Sequence, residues 1–309
     1  MIAGSIYQRP LRLPRHRWVP YVAIAMLCGA ALLIAAVFAV GLFLSAPARA
    51  NIGAPPADLN AEQVTIASSS GATLRGWFIA GQPGAGAVVL MHGVQSNRLS
   101  MLPRARLLNT AGFAVLLFDF QAHGQSTGNR ITFGHREALD ARAAVTFVRQ
   151  RLPAERIGAI GSSLGGAAAL LGPGALPVDA LVLESVYPEI GTAIANRIDM
   201  TLPVAGRLVA RPLAWLFELL LPPIIGVSPA DLRPIDRIAE VTAPLLLAAG
   251  TRDDRTTIAE TTAMFERARQ PKWLWAVDGA RHVDLEAYAP GEYRHRVLPF
   301  LIERLHPAR

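Results

Sequence analysis

From Val19 to Ala46 nearly every position is apolar and none is charged. A helix of about 20 residues crosses a hydrocarbon core of about 30 Å, so this run is long enough to span with room for tilt. The pattern then changes. Gln63–Ala67 and Thr73–Ala80 read as two antiparallel strands joined by the turn-prone Ser68-Ser69-Ser70-Gly71. Short apolar runs follow at Ala87–Met91, Ala114–Phe118, Arg156–Ile160, Ala180–Leu183, Pro244–Ala249 and Lys272–Val277. Helical stretches separate several of them, at Arg98–Ala111, Glu137–Arg151 and Thr257–Gln270. Strands apolar on both faces and alternating with helices predict an α/β protein, with a mostly parallel sheet covered on both sides.

One region interrupts the alternation. Between Tyr187 and Val241 no strand is predicted, prolines recur at 203, 212, 222, 223 and 229, and Leu213–Leu221 is very apolar. This predicts a helical lid inserted over one end of the sheet, at about 188–241. Its apolar face is either packed core, a substrate pocket or a surface touching lipid. The expected organisation is a basic tail at 1–18, a transmembrane anchor at 19–46, a linker at 47–62 containing Gly53, Pro55 and Pro56, and one domain at 63–309.

The net charge of +7 raises the question of nucleic acid. However, Arg9, Arg12, Arg15, Arg17 and Arg49 all precede the first acidic residue, Asp58, and the remainder is close to neutral. With no basic stripe and no interleaved aromatics, nucleic acid is excluded as a partner. Cys28 is the only cysteine, which rules out a disulfide within the chain and a thiolate metal site. Ala46-Pro47-Ala48 and Ala48-Arg49-Ala50 resemble signal cleavage sites, but the apolar run exceeds the h-region of a cleaved signal, so an uncleaved anchor is expected. Four arginines precede the span and one follows it, which leaves the N-terminus cytoplasmic and the domain on the far, extracytoplasmic side.

Gly161-Ser162-Ser163-Leu164-Gly165 fits G-x-S-x-G between a predicted strand and a small-residue helix, the setting of a nucleophile elbow. Ser163 is the expected nucleophile. A serine hydroxyl needs a base, and His282 follows the last predicted strand through Asp278-Gly279-Ala280-Arg281. An acid must hold the base. Asp253 and Asp254 both follow the strand Pro244–Ala249, with Glu184 a weaker third candidate. Two N–H donors are expected to form an oxyanion hole, Leu164 after the nucleophile and Val94 in the His92-Gly93-Val94 loop.

From about Val64 to the C-terminus the chain resembles the α/β-hydrolase superfamily, in the branch of serine aminopeptidase-like and monoacylglycerol-lipase-like enzymes. His92-Gly93, Asp119–Ser126, Gly161–Gly165, Gly250-Thr251-Arg252-Asp253 and Gly279–His282 follow that family's motifs in order. Gln121-Ala122 departs from it, standing where the family has Arg-Gly. The resemblance implies an eight-stranded α/β-hydrolase sheet and selects Asp253 over Asp254. It also implies a Ser163–His282–Asp253 triad acting through an acyl-enzyme without cofactor or metal. The expected substrate is a carboxylic ester or acyl-lipid, with the lipid bilayer as partner of the N-terminal helix. A serine peptidase and a non-catalytic interaction protein on the same scaffold are the alternatives.

Overall fold

The computed structural model describes residues 18–202 and 206–306. The basic tail with Arg9, Arg12, Arg15 and Arg17 therefore lies outside the described residues.

An eight-stranded sheet organises the molecule. Its strands are β2 (Glu62–Ala67), β3 (Thr73–Ile79), β4 (Ala87–Met91), β5 (Ala114–Phe118), β7 (Ile157–Ser162), β8 (Ala180–Glu184), β9 (Leu245–Gly250) and β10 (Lys272–Val277). A separate two-stranded sheet pairs β1 (Ala48–Arg49) with β6 (His123–Gly124). The large sheet runs in the order β10-β9-β8-β7-β4-β5-β3-β2, and β3 alone runs opposite to the other strands. The strands expected from the apolar runs are all present, within a residue or two. The mostly parallel architecture covered by helices is the expected fold class.

Alternation within the strands decides what each face meets. Val89, Leu116, Ala159, Leu183 and Leu247 join one core, while Val88, Leu90, Val115, Leu117, Ile160 and Val182 join the other. Successive side chains of a strand point to opposite faces, so strands buried on both sides must be apolar throughout. On the first face lie α3 (Glu137–Arg151), α4 (Leu164–Leu170) and α8 (Ile258–Arg267), contributing Ala141, Val145, Ala167 and Met264. On the second lie α2 (Leu102–Thr110) and α10 (Pro290–Leu305), contributing Ala105, Leu108, Tyr293, Val297 and Leu301.

Between β8 and β9 the chain is helical, as expected: α5 (Ile190–Thr201), α6 (Gly206–Ile225) and the short α7 (Pro234–Arg237). Ile190, Ala193, Leu221, Ile224 and Ile225 extend the first core toward this insertion. A single turn, α9 (Leu285–Tyr288), precedes α10.

The N-terminal helix α1 (Val19–Leu44) is 26 residues long and almost wholly exposed, except near its end. There Val37 and Gly41 are buried, and Phe38 and Leu42 pack on the first core. A Cβ on Gly41 would come within 2.5 Å of Ile224 Cδ1, so α1 and α6 are in direct contact there. The segment read as a linker is tied down as well. Ser45 Oγ donates to Gly41 O at 2.8 Å, and Ile131 N–H donates to Ser45 O at 2.9 Å. Ala48 N–H donates to Ala122 O at 2.8 Å, and Ala50 N–H to Gly124 O at 3.1 Å. The Arg49 guanidinium donates to the carbonyls of Ser126 and Gly128. A two-residue strand has no periodicity to read, which is why β1 and β6 are invisible in the apolar pattern.

Candidate active site

Ser163 stands between β7 and α4, with φ 49° and ψ −109°. A non-glycine residue there is strained, and such strain persists only where the surroundings over-determine it. The surroundings are specific. Ser163 N–H donates to Glu184 O on the adjacent strand at 2.8 Å, and its own carbonyl accepts from Ala167 N–H at 3.0 Å. A Cβ on Gly165 would lie 2.3 Å from Met91 O, and one on Gly161 would lie 2.6 Å from Gly166 N. Only glycine lets strand and helix meet that closely, and the turn lifts Ser163 over the carboxyl edge of the sheet.

The His92-Gly93-Val94 loop, expected to line an oxyanion hole, runs alongside. The position a Gly93 Cβ would take is 3.7 Å from Ser163 Cβ. Among the described residues neither the Val94 nor the Leu164 N–H donates to any group. The loop is braced from behind by two histidines. His92 is fully buried; its Nε2 accepts from Phe120 N–H at 3.1 Å, so Nδ1 carries the proton and donates to Gly93 O at 2.7 Å. His123 repeats the arrangement, accepting from Gln95 N–H at 3.1 Å through Nε2 and lying 2.9 Å from Gln121 O through Nδ1. Burial, then the neighbouring His123, pushes His92 down to about 3, so it stays neutral. Burial also lowers His123. The motif after β5 is woven through Asp119, whose carboxylate pairs with Arg98 and accepts from Arg98 N–H at 2.8 Å and Gln125 N–H at 2.9 Å. Ala122, where the family pattern has glycine, takes a left-handed φ of 59°.

At the other side of the edge, His282 Nδ1 lies 2.8 Å from Asp253 Oδ2. Asp253 is buried, and its carboxylate also accepts from Arg255 N–H, Thr256 N–H and Thr256 Oγ1, each at 2.9 Å. Burial alone would raise its pKa, but the bond and charge of His282, with those backbone donors, hold it below the usual carboxylate value. Asp254 points elsewhere: it is exposed, 3.6 Å from Arg281 Nη1. Glu184 is spoken for. Arg104 Nη2 lies 2.7 Å from its Oε2, and Tyr293 Oη donates to its Oε1 at 2.6 Å. The register Ser162↔Glu184, Glu184↔Ala248 and Ala248↔Trp275 carries the ends of β7, β8, β9 and β10 to one edge. Ser163 and the Asp253–His282 pair thus share that edge. Ser163 Oγ is not itself hydrogen-bonded to the His282 ring, and such bonds are commonly loose until substrate tightens them.

Two residues here carry no signature in the sequence. Arg104, 1% exposed, reaches Asp284 at 2.7 Å as well as Glu184. It thereby links the strand end beneath Ser163 to the loop two residues past His282. Ser185, between the two strand ends, is buried with φ 48° and a hydroxyl without a partner among the described residues. Also among the described residues, no three His, Cys, Asp or Glu side chains converge as a metal site requires.

Comparison with known proteins agrees with the fold. Residues 82–222 match the family described as serine aminopeptidase, S33. The uncharacterized protein Rv2307c of Mycobacterium tuberculosis is 31% identical over 228 residues, covering 72% of this chain and 73% of its own length. The uncharacterized protein YqkD of Bacillus subtilis is 26% identical over 240 residues, covering 76% and 77%. Among solved structures, the esterase Pf2001 of Pyrococcus furiosus superposes with a TM-score of 0.70 at 28% identity, over 85% of this chain and 99% of that one.

Proposed function

The chain belongs to the α/β-hydrolase superfamily, in its serine aminopeptidase S33 branch, and we propose that it is a membrane-anchored serine hydrolase that cleaves carboxylic esters or acyl-lipids. The backbone of Ser163 carries the proposal. A strained serine at a strand–helix turn, flanked by two unengaged N–H donors, suits attack on a carbonyl and little else.

In the proposed mechanism Ser163 Oγ attacks the carbonyl carbon while His282 Nε2 takes its proton. Asp253, through Nδ1, fixes the ring and stabilises the imidazolium. The carbonyl electron pair moves to oxygen, which the Val94 and Leu164 N–H groups receive. Collapse breaks the bond to the leaving alkoxide, which takes the proton from Nε2. Water then loses a proton to His282, attacks the acyl-enzyme and releases the acid, returning the proton to Ser163. No cofactor or metal takes part.

Labelling with a fluorophosphonate probe tests this. The wild type should label and Ser163→Ala should not; persistent labelling of that variant overturns the assignment of the nucleophile.

The ester preference follows from the apolar insertion 188–241, taken as a lid, and from the anchor at 19–46. The bilayer would hold α1, with the N-terminus cytoplasmic and residues 63–309 on the far side. A second reading, a peptidase requiring a site for a substrate amine, draws on Glu218. Burial, then neighbouring Glu189, raises its pKa, and it makes no ion pair among the described residues. Turnover of p-nitrophenyl esters against amino-acid p-nitroanilides separates the two: ester-only turnover supports the first reading, and anilide turnover lost in Glu218→Gln supports the second.

A further inference from the structure

Helix α6 is apolar on the side that faces away from the protein. Its inward face is ordinary: Ala210, Ala214, Leu221, Ile224 and Ile225 are buried. Its outward face should be polar in a helix bordered by water. Instead Leu208 is 81% exposed, Trp215 65% and Leu219 58%, followed by exposed Pro222 and Pro223. With Arg211 these positions recur every three or four residues and so form one stripe, in which Arg211 is the only charged residue among the described side chains. The stripe continues onto the end of α5, where Met200 and Leu202 are more than two-fifths exposed.

The neighbouring elements show what covers this face. The start of α5 lies beside the end of α6, since a Cβ on Gly191 would run into the Glu218 carboxylate. The two helices therefore form an antiparallel hairpin, and the chain re-enters the domain after α6 with Val227 and Leu232 buried. Both ends of the hairpin are on one side, and α5, with 12 residues including Arg197 and Asp199, is too short and too polar to return across a bilayer. The hairpin therefore does not span one, although 18 residues of α6 are apolar enough. Meanwhile α1 packs on α6 through Gly41 and Ile224, and Arg130 donates to Leu42 O and Ser45 Oγ at 3.3 Å each. No slack separates anchor from hairpin. A bilayer that takes up α1 is brought directly against α6.

We propose that the α5–α6 hairpin is a second, interfacial membrane contact, with Leu208, Trp215 and Leu219 seated at the boundary of headgroups and acyl chains beside α1. Arg211 would reach back to the phosphates, as long basic side chains do at such boundaries. The catalytic edge, over which this hairpin is inserted, would then open next to lipid. The inference rests on the membrane reading of α1.

The test uses the full chain, made cysteine-free by Cys28→Ser, in phosphatidylcholine–phosphatidylglycerol vesicles. Leu208→Cys, Trp215→Cys, Leu219→Cys and, as an aqueous reference on α10, Glu303→Cys each carry an environment-sensitive fluorophore. The wild-type chain labelled at Cys28 reports on the anchor. The three α6 labels should be blue-shifted relative to the Glu303 label. Lipids bearing a nitroxide near the headgroup should quench them more than lipids bearing it at the chain end. Water-like emission at all three with a deep Cys28 label overturns the hairpin contact and leaves the anchor standing. A water-like Cys28 label removes the anchor, and the inference with it. Blue shift without quenching would put protein, such as a second copy, on the stripe and overturn the proposal. Strongest quenching from the chain end at α6 would overturn the interfacial placement.

Discussion

Single residues here carry charges and strains with distinct costs. Asp253 and Asp254 are adjacent, yet only Asp253 meets His282 and only it is wrapped by backbone donors. Under the proposed mechanism Asp253→Asn lowers kcat by roughly four orders of magnitude, by analogy with the loss seen when a triad aspartate is amidated. Asp254→Asn should leave ester turnover nearly unchanged; a p-nitrophenyl ester assay of both variants decides. Ala122 presents a different case. Its φ of 59° places a Cβ where glycine is favoured, at a cost of about 1 kcal/mol. Ala122→Gly relieves that strain but removes a methyl group fully buried in the first core, worth about 0.8 kcal/mol, and adds freedom to the unfolded chain. Urea unfolding should therefore show a midpoint unchanged or slightly lowered at unchanged slope, and a clearly higher midpoint would mean that strain outweighs packing there.

At the scale of elements, Arg104 joins four of them: α2, the end of β8, the turn before α9 through Asp284, and α10 through Tyr293. Removing one partner of a buried ion pair strands the other, which costs about 3–5 kcal/mol. Arg104→Met should lose stability on that scale, and adding Glu184→Gln should recover part of it; urea melts of both variants measure the difference. The sheet and its flanking helices were legible because their strands are buried on both faces and must be apolar throughout. The strand–helix turn at Ser163 was legible because close approach of strand and helix demands Gly161 and Gly165. Arg104 was not, since an arginine within a helix of mixed polarity looks like any exposed one until Glu184 and Asp284 are folded against it. Nor was the docking of α1, because Gly41 in an apolar run gives no sign that Ile224 will pack against it.

For the molecule as a whole, two buried groups pull stability in opposite directions with pH. Burial raises Asp140 to about 7, from an unfolded value near 3.8. The folded state then binds the extra proton between those values, and this group's contribution weakens as pH rises through that window. His92, held down to about 3 from 6.5, does the reverse. The unfolded chain binds its proton first, so stability is lost as pH falls below about 6.5. The two slopes oppose each other over most of the range between pH 4 and pH 6.5. Asp140→Asn leaves the histidine slope unopposed, so its urea midpoint should fall more steeply from pH 7 to pH 4 than that of the wild type. Parallel profiles would mean that Asp140 does not titrate in that range.

The two residues of β1 also set an order of events in time. Both small-residue cleavage motifs, at 46–48 and 48–50, lie on the stretch that pairs with β6 and is clasped through Arg49. Peptidases act on extended, accessible chain, so release of the domain would have to precede that pairing. Once folded, the protein would shield either motif from a peptidase. A chain clipped earlier after Ala50 would mature with the carbonyls of Ala122 and Gly124 and the Ile131 N–H lacking the partners that Ala48, Ala50 and Ser45 supply. One clipped after Ala48 would keep only the Ala50 bond. Were either motif a cleavage site, the balance of anchored and released chains would be set by a race between proteolysis and folding.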